Sequence, residues 1–92
     1  MIKKHKTLQE RRAVGFAVDL LTKFDYGYTI QVPSRQLAEQ ISNAGRKISY
    51  VTVVAYWEAL ERMGYAKREM KSRIDGVVYH LNRYAFGKLL NA

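Results

Sequence analysis

The chain has no cysteine and a single proline, Pro33. Without cysteine neither a disulfide framework nor a thiolate metal site can form. A reducing compartment is the natural expectation. Acids are scarce as well: 8 Asp+Glu stand against 16 Lys+Arg, giving a net charge of +8. A polyanion is therefore the first partner to consider. No apolar run approaches the ~20 residues of a membrane span. Nothing like a leader's hydrophobic core follows Met1–Lys6. No membrane is expected, and the chain reads as cytoplasmic. His5 and His80 are the only histidines and have no carboxylate pair near them in the sequence, so no metal and no other cofactor is expected. Paired acids, nucleophile motifs and glycine-rich phosphate loops are missing too. That points to a binding protein and away from an enzyme.

What is present fits one folded unit. A length of 92 residues with 48% hydrophobic content suits one modest core. Residues 1–6, with Lys3, Lys4 and Lys6, read as a basic flexible tail, and residues 7–92 as a single domain. Thr7-Leu8-Gln9-Glu10 is a capping-box pattern. Val14, Ala17, Val18, Leu21 and Phe24 follow at helical spacing, and Tyr26-Gly27 is the expected end. Tyr28–Val32 alternates and is β-branched, which predicts a short strand stopped by Pro33. Ser34 is the expected N-cap of a second helix through Ile41. Ser42-Asn43-Ala44-Gly45 is turn chemistry.

Ser49 is a good N-cap for a third helix running to Met63, with Gly64 as its stop. The run Val51-Thr52-Val53-Val54 favours a strand by propensity. The spacing of Val53, Trp57, Leu60 and Met63 predicts a helix instead. Tyr65–Met70 and Gly76–Leu81 read as a hairpin with its loop at 71–75, Asp75-Gly76 being the turn signal. Arg83–Leu90 reads as a short final helix, with Tyr84, Phe86, Leu89 and Leu90 apolar. Trp57 belongs in the core, and Tyr26, Tyr28, Tyr65 and Tyr84 are expected at core edges with wet hydroxyls. The fold class is α+β, mainly α.

From Ser34 to Leu81 the chain resembles the winged helix-turn-helix superfamily, including MarR-like and related bacterial and archaeal regulators. Ser34–Ile41 matches the first helix of the motif. Ile48–Val53 matches the start of the recognition helix. Ala59-Leu60-Glu61-Arg62-Met63-Gly64-Tyr65 is similar to the family's step into the wing, and Val77–Leu81 to the returning wing strand. The resemblance implies a three-helix core, a β-hairpin wing and a short C-terminal helix. It also implies sequence-selective binding of double-stranded DNA, most simply by a transcriptional regulator.

In that geometry Ser49, Tyr50, Val51, Thr52 and Ala55 face the major groove. Tyr50 and Thr52 can hydrogen-bond, and Val51 and Ala55 can touch a thymine methyl. Arg35, Arg46 and Lys47 would lie near phosphate. Lys67, Arg68, Lys71 and Arg73, opposed only by Glu69, would be the wing's phosphate contacts. The recognition helix has no Arg, Asn or Gln in its first two turns, so DNA shape or the wing would share the reading. A homodimer through the first helix and the Arg83–Leu90 segment would read two half-sites. Two rivals remain at this stage. One is a winged-helix module for protein interaction or assembly, and the other is binding of RNA or single strands.

Overall fold

The computed structural model describes residues 7–45, 47–72 and 76–90, with backbone alone at 71, 72 and 76. Its elements in chain order are α1 (Leu8–Thr22), β1 (Thr29–Ile30), α2 (Ser34–Asn43), α3 (Tyr50–Arg62), β2 (Ala66–Ser72), β3 (Gly76–Leu81) and α4 (Arg83–Leu90). Four helices and a three-stranded antiparallel sheet make a mainly helical α+β fold. The strands lie in the order β1-β3-β2, so the first strand joins the sheet beside the last.

The helix ends follow local chemistry. The Thr7 hydroxyl accepts from the Glu10 amide, and the Glu10 carboxylate accepts from the Thr7 amide, each at 3.1 Å. This is the expected capping box, which satisfies two amides with no helical partner. α1 ends earlier than its apolar spacing predicts. Asp25 takes a left-handed φ of 56° and Gly27 one of 84°. The Tyr26 amide folds back onto the Leu20 carbonyl at 2.8 Å. Aspartate tolerates this conformation better than most residues, so the chain leaves the helix before its glycine.

α2 also departs from expectation. Ser34 is its first residue and not its cap. Pro33 holds the cap position with φ −58° and ψ 147°, and no side chain caps the end. The fixed proline φ already suits that extended position, and the Pro33 carbonyl accepts from Leu37 at 2.9 Å. α3 is capped as expected: Ser49 Oγ accepts from the Thr52 amide at 3.2 Å. Its far end closes on Gly64, at φ 79°. There the Tyr65 amide bonds the Leu60 carbonyl at 2.8 Å and the Gly64 amide bonds the Glu61 carbonyl at 3.1 Å. This paired pattern needs a left-handed residue after the helix, hence glycine.

The sheet is thinner at one edge and longer at the other than the sequence predicts. β1 is two residues, pairing Thr29 with His80 and Ile30 with Tyr79. β2 runs through Ser72, so residues 71 and 72 belong to the strand and not to the loop, with a register irregularity between Met70 and Ser72. A bulge of this kind lets a strand continue past a mismatch in pairing.

The core lies where α1 and α2 pack on α3 and the sheet closes the remaining side. Ala13, Leu20, Leu37, Val53, Trp57, Ala59, Leu60 and Phe86 are fully buried. Trp57 sits at the centre. Phe16 presents its edge at 5.4 Å, and Tyr79 stacks on the indole at 4.1 Å with the rings 1° from parallel. Of the apolar residues on α4 only Phe86 is buried, in edge contact with Tyr65 at 5.4 Å. Tyr84, expected at a core edge, is exposed, with the Lys88 ammonium 5.2 Å from its ring.

Two substitutions test this account. Trp57→Ala removes contacts to both a helix and the sheet, with an expected cost of about 3–5 kcal/mol. That is a large share of the roughly 5–15 kcal/mol holding a domain together. Gly64→Ala meets no atom within 4 Å, so its cost is the left-handed backbone alone, about 1–2 kcal/mol. Urea unfolding midpoints should rank wild type, Gly64→Ala, then Trp57→Ala. A Gly64→Ala protein as stable as wild type would contradict the turn geometry.

Candidate functional site

One face of α3 is left open by the packing. Val53, Tyr56, Trp57, Ala59 and Leu60 are buried. Helical spacing puts Val51, Val54, Ala55, Glu58 and Arg62 on the opposite side. Val51 is 71% exposed and Tyr50 40%. Thr52, Val54 and Ala55 are half-buried, and Ser49 is exposed. Glu58 continues the same stripe one turn on, a carboxylate that the family resemblance alone did not single out.

The turn before α3 is held by a side chain whose role the sequence did not reveal. Ser42, at the end of α2, donates from its hydroxyl to the Ile48 carbonyl at 3.1 Å and accepts from the Ile48 amide at 3.2 Å. One hydroxyl thus closes the connection and sets where α3 begins. Ser49 adds a second hydroxyl contact, to Thr52 Oγ1 at 3.0 Å. Gly45, with φ 104°, lets the chain reverse between them. The signal for Ser42 was present only as a generic turn residue.

Three adjoining clefts run around the start of α3. The largest, about 400 Å³, lies between α3 and the hairpin and includes Arg35, Tyr50, Val54, Arg68, Val77 and Tyr79 in its lining. A second, about 310 Å³, shares Arg35 and Tyr50 and reaches Ser42 and Ile48. A third, about 290 Å³, shares Ile48 and is completed by Arg12, Lys47, Ser49, Thr52 and Tyr56. Among the described residues, Arg68, Arg35, Lys47 and Arg12 line these adjoining clefts. Arg12 comes from α1. It lies far from the others in sequence, and only the packing of α1 on α3 brings it there.

The expected contact residues divide accordingly. Arg35, Lys47, Ser49, Tyr50 and Thr52 gather at the α3 start. Arg35 is stacked over the Tyr50 ring, its guanidinium carbon 4.4 Å from the centroid, an arrangement favourable for a cation on an aromatic face. Lys67 and Arg68 do not share a face. Strand alternation puts Arg68 with Met70, Val77 and Tyr79 on the side toward α3. Lys67 lies on the other side with Glu69 and His80. There the Glu69 carboxylate bonds His80 Nε2 at 2.7 Å, and His80 Nδ1 is 3.4 Å from the Thr29 hydroxyl. Arg46, Arg73 and the side chain of Lys71 lie outside the described residues.

Acids shape this surface as well. Arg68 Nε lies 3.7 Å from Glu61 of α3. Glu39 lines the middle cleft. Burial pushes the Tyr79 phenol above the ordinary tyrosine range, and the nearby Glu61 and Glu58 carboxylates add to this. The Arg68 guanidinium opposes them through its charge and a hydrogen bond. Among the described residues no group of three His, Asp or Glu is placed to hold a metal ion. No helix there is long and apolar enough to cross a membrane. Chemically, the surface offers cations, hydroxyls and the apolar side chains of Val51, Val54 and Ala55.

No protein-family model matches the chain, and neither a curated protein nor a solved structure does.

The Tyr79 environment has a testable sign. A phenol held above its unfolded value keeps its proton longer in the folded state. Its contribution is fully present below the unfolded value near 10.0 and is lost as pH rises through the folded one. Stability should therefore fall above about pH 10, and less steeply in Tyr79→Phe. Tyr26 is raised too, by burial, so some slope should remain. Denaturant midpoints measured across that pH range for both proteins decide the matter; identical slopes would remove Tyr79 from the account.

Proposed function

We propose that the chain is a winged helix-turn-helix domain that binds double-stranded DNA, with α3 in the major groove and the β2–β3 hairpin as its wing. The observation that supports it best is the exposed face of α3 bordered by Arg12, Lys47, Arg35 and Arg68. A helix fits the major groove, and cations beside it can meet the phosphates on either side. The order helix, short strand, helix, turn, helix, hairpin also agrees with the resemblance, as does the net charge of +8. Arg68 would exchange its Glu61 partner for phosphate on binding. Occupying promoter DNA would make the protein a sequence-selective transcriptional regulator in the cytoplasm.

A homodimer is part of the proposal. α4 exposes Tyr84, Leu89 and Leu90, and α1 exposes Leu8. Those residues supply apolar surface for a second copy. Sedimentation of the chain alone and with DNA would test this; one copy per duplex at every ratio would remove it.

A second reading, docking of another protein on α3, draws on the exposure of Val51 and Met70. Large apolar groups in water often mark protein contacts.

The deciding experiment is fluorescence-anisotropy binding to a randomised duplex pool over a salt series, with sequencing of the bound fraction. A steep negative salt slope and an enriched motif are expected. Each true phosphate contact neutralised, by Arg12→Gln, Lys47→Gln or Arg68→Gln, should lower the slope by about one. An unchanged slope removes that residue from the interface. Tighter binding to RNA or single strands would displace the duplex reading, and no nucleic-acid binding would favour the protein partner.

A further inference from the structure

The outward stripe of α3 carries neither a guanidinium nor a side-chain amide over its first two turns. Its residues there are Val51, Val54 and Ala55. Valine is a poor helix former, and an exposed one adds little to folding. Yet Val51 stands 71% exposed at the helix start. Two guanidinia beside the stripe already have partners, Arg35 over the Tyr50 ring at 4.4 Å and Arg68 beside Glu61 at 3.7 Å.

This chemistry matches one base. Guanine is read through its O6 and N7 by Arg or Lys, and adenine through its N6 and N7 by Asn or Gln. None of those side chains lies on the first two turns of the stripe, nor does a carboxylate that could accept from cytosine N4. Thymine alone of the four bases offers an apolar handle in the major groove, its C5 methyl. We infer that α3 reads thymine methyl groups through Val51, Val54 and Ala55, so that the partner is A·T-rich duplex DNA. This rests on the DNA-binding reading above. An apolar ridge bordered by Arg12, Lys47, Arg35 and Arg68 fits a polyanion with an apolar floor. A 5-methylcytosine presents the same methyl, but its paired guanine brings acceptors that find no Arg or Lys here. Glu58, next on the stripe, marks the far limit of the apolar stretch, because its carboxylate repels phosphate.

The central comparison is between duplexes with and without the thymine methyl. Full-length chain is titrated by anisotropy onto an alternating A·T duplex of roughly twenty base pairs, long enough for two half-sites. The same duplex with deoxyuridine for thymidine, and an alternating G·C duplex, are titrated in parallel. Each contacted methyl should be worth about fourfold in affinity. The thymidine duplex should bind tightest. Val51→Ser and Val54→Thr lie outside the buried core, so each should fold and should narrow the gap in affinity between the thymidine and deoxyuridine duplexes. Equal binding of thymidine and deoxyuridine duplexes overturns the methyl inference and leaves DNA binding standing. A preference unchanged in both variants also overturns it, assigning the effect to duplex shape. Binding to none of the duplexes at low salt overturns the DNA reading and this inference with it.

Discussion

The stacking of Trp57 on Tyr79 is the contact on which the arrangement depends. It joins α3 to β3 with the rings 4.1 Å apart and parallel. On the other side of the indole Phe16 supplies an edge from α1. Three elements distant in sequence therefore meet at one side chain. Among the described residues the indole Nε1 has no hydrogen-bond partner. Leaving a buried donor unmade costs about 1–3 kcal/mol, which the large buried ring area can offset. With α3 clamped on this inner face, its outer face is not needed for the core.

The hairpin is fixed to α3 by polar contacts as well. The Asn82 amide donates to the Tyr65 carbonyl at 2.9 Å, and its Nδ2 donates to the Gly64 carbonyl at 3.1 Å. Its Oδ1 accepts from Ala85 at 3.1 Å and so caps α4. One asparagine thus holds the end of α3, the base of the hairpin and the start of the last helix. The Glu61–Arg68 ion pair is a second, partly exposed contact between helix and hairpin. The electrostatics of the open surface follow in turn, since the clamp decides where Arg68 sits.

Much of this was legible in the residues. Thr7 with Glu10, Ser49, and Gly64 are short-range signals whose meaning depends only on neighbours, and each acts as its pattern implies. Helix won over strand in Val51–Val54 because burial of Val53, Trp57 and Leu60 needs helical spacing, and that outweighs β-branching. Two of the departures lie at helix ends. Ser34 is the first helical residue and not the cap, because the fixed φ of Pro33 already suits the extended cap position. The early end of α1 turned on Asp25 accepting a left-handed backbone, which aspartate does only occasionally. The site was less legible than the fold. Arg12 joins Lys47 only through packing of α1 on α3, and strand alternation parts Lys67 from Arg68 but leaves open which of them faces the helices.

The outer stripe of α3 has a consequence for how such a protein can change over generations. Val51, Val54, Ala55, Glu58 and Arg62 lie outside the buried set. Substitutions there leave Trp57, Phe16 and Tyr79 in place, so they alter what the surface meets at little cost to folding. Sites in a packed interior constrain one another, because each volume change is felt by its neighbours. On this stripe the constraint is relaxed. Duplicated copies of the chain can therefore diverge in what they recognise while retaining one architecture, with drift concentrated at five positions and the aromatic centre held nearly fixed.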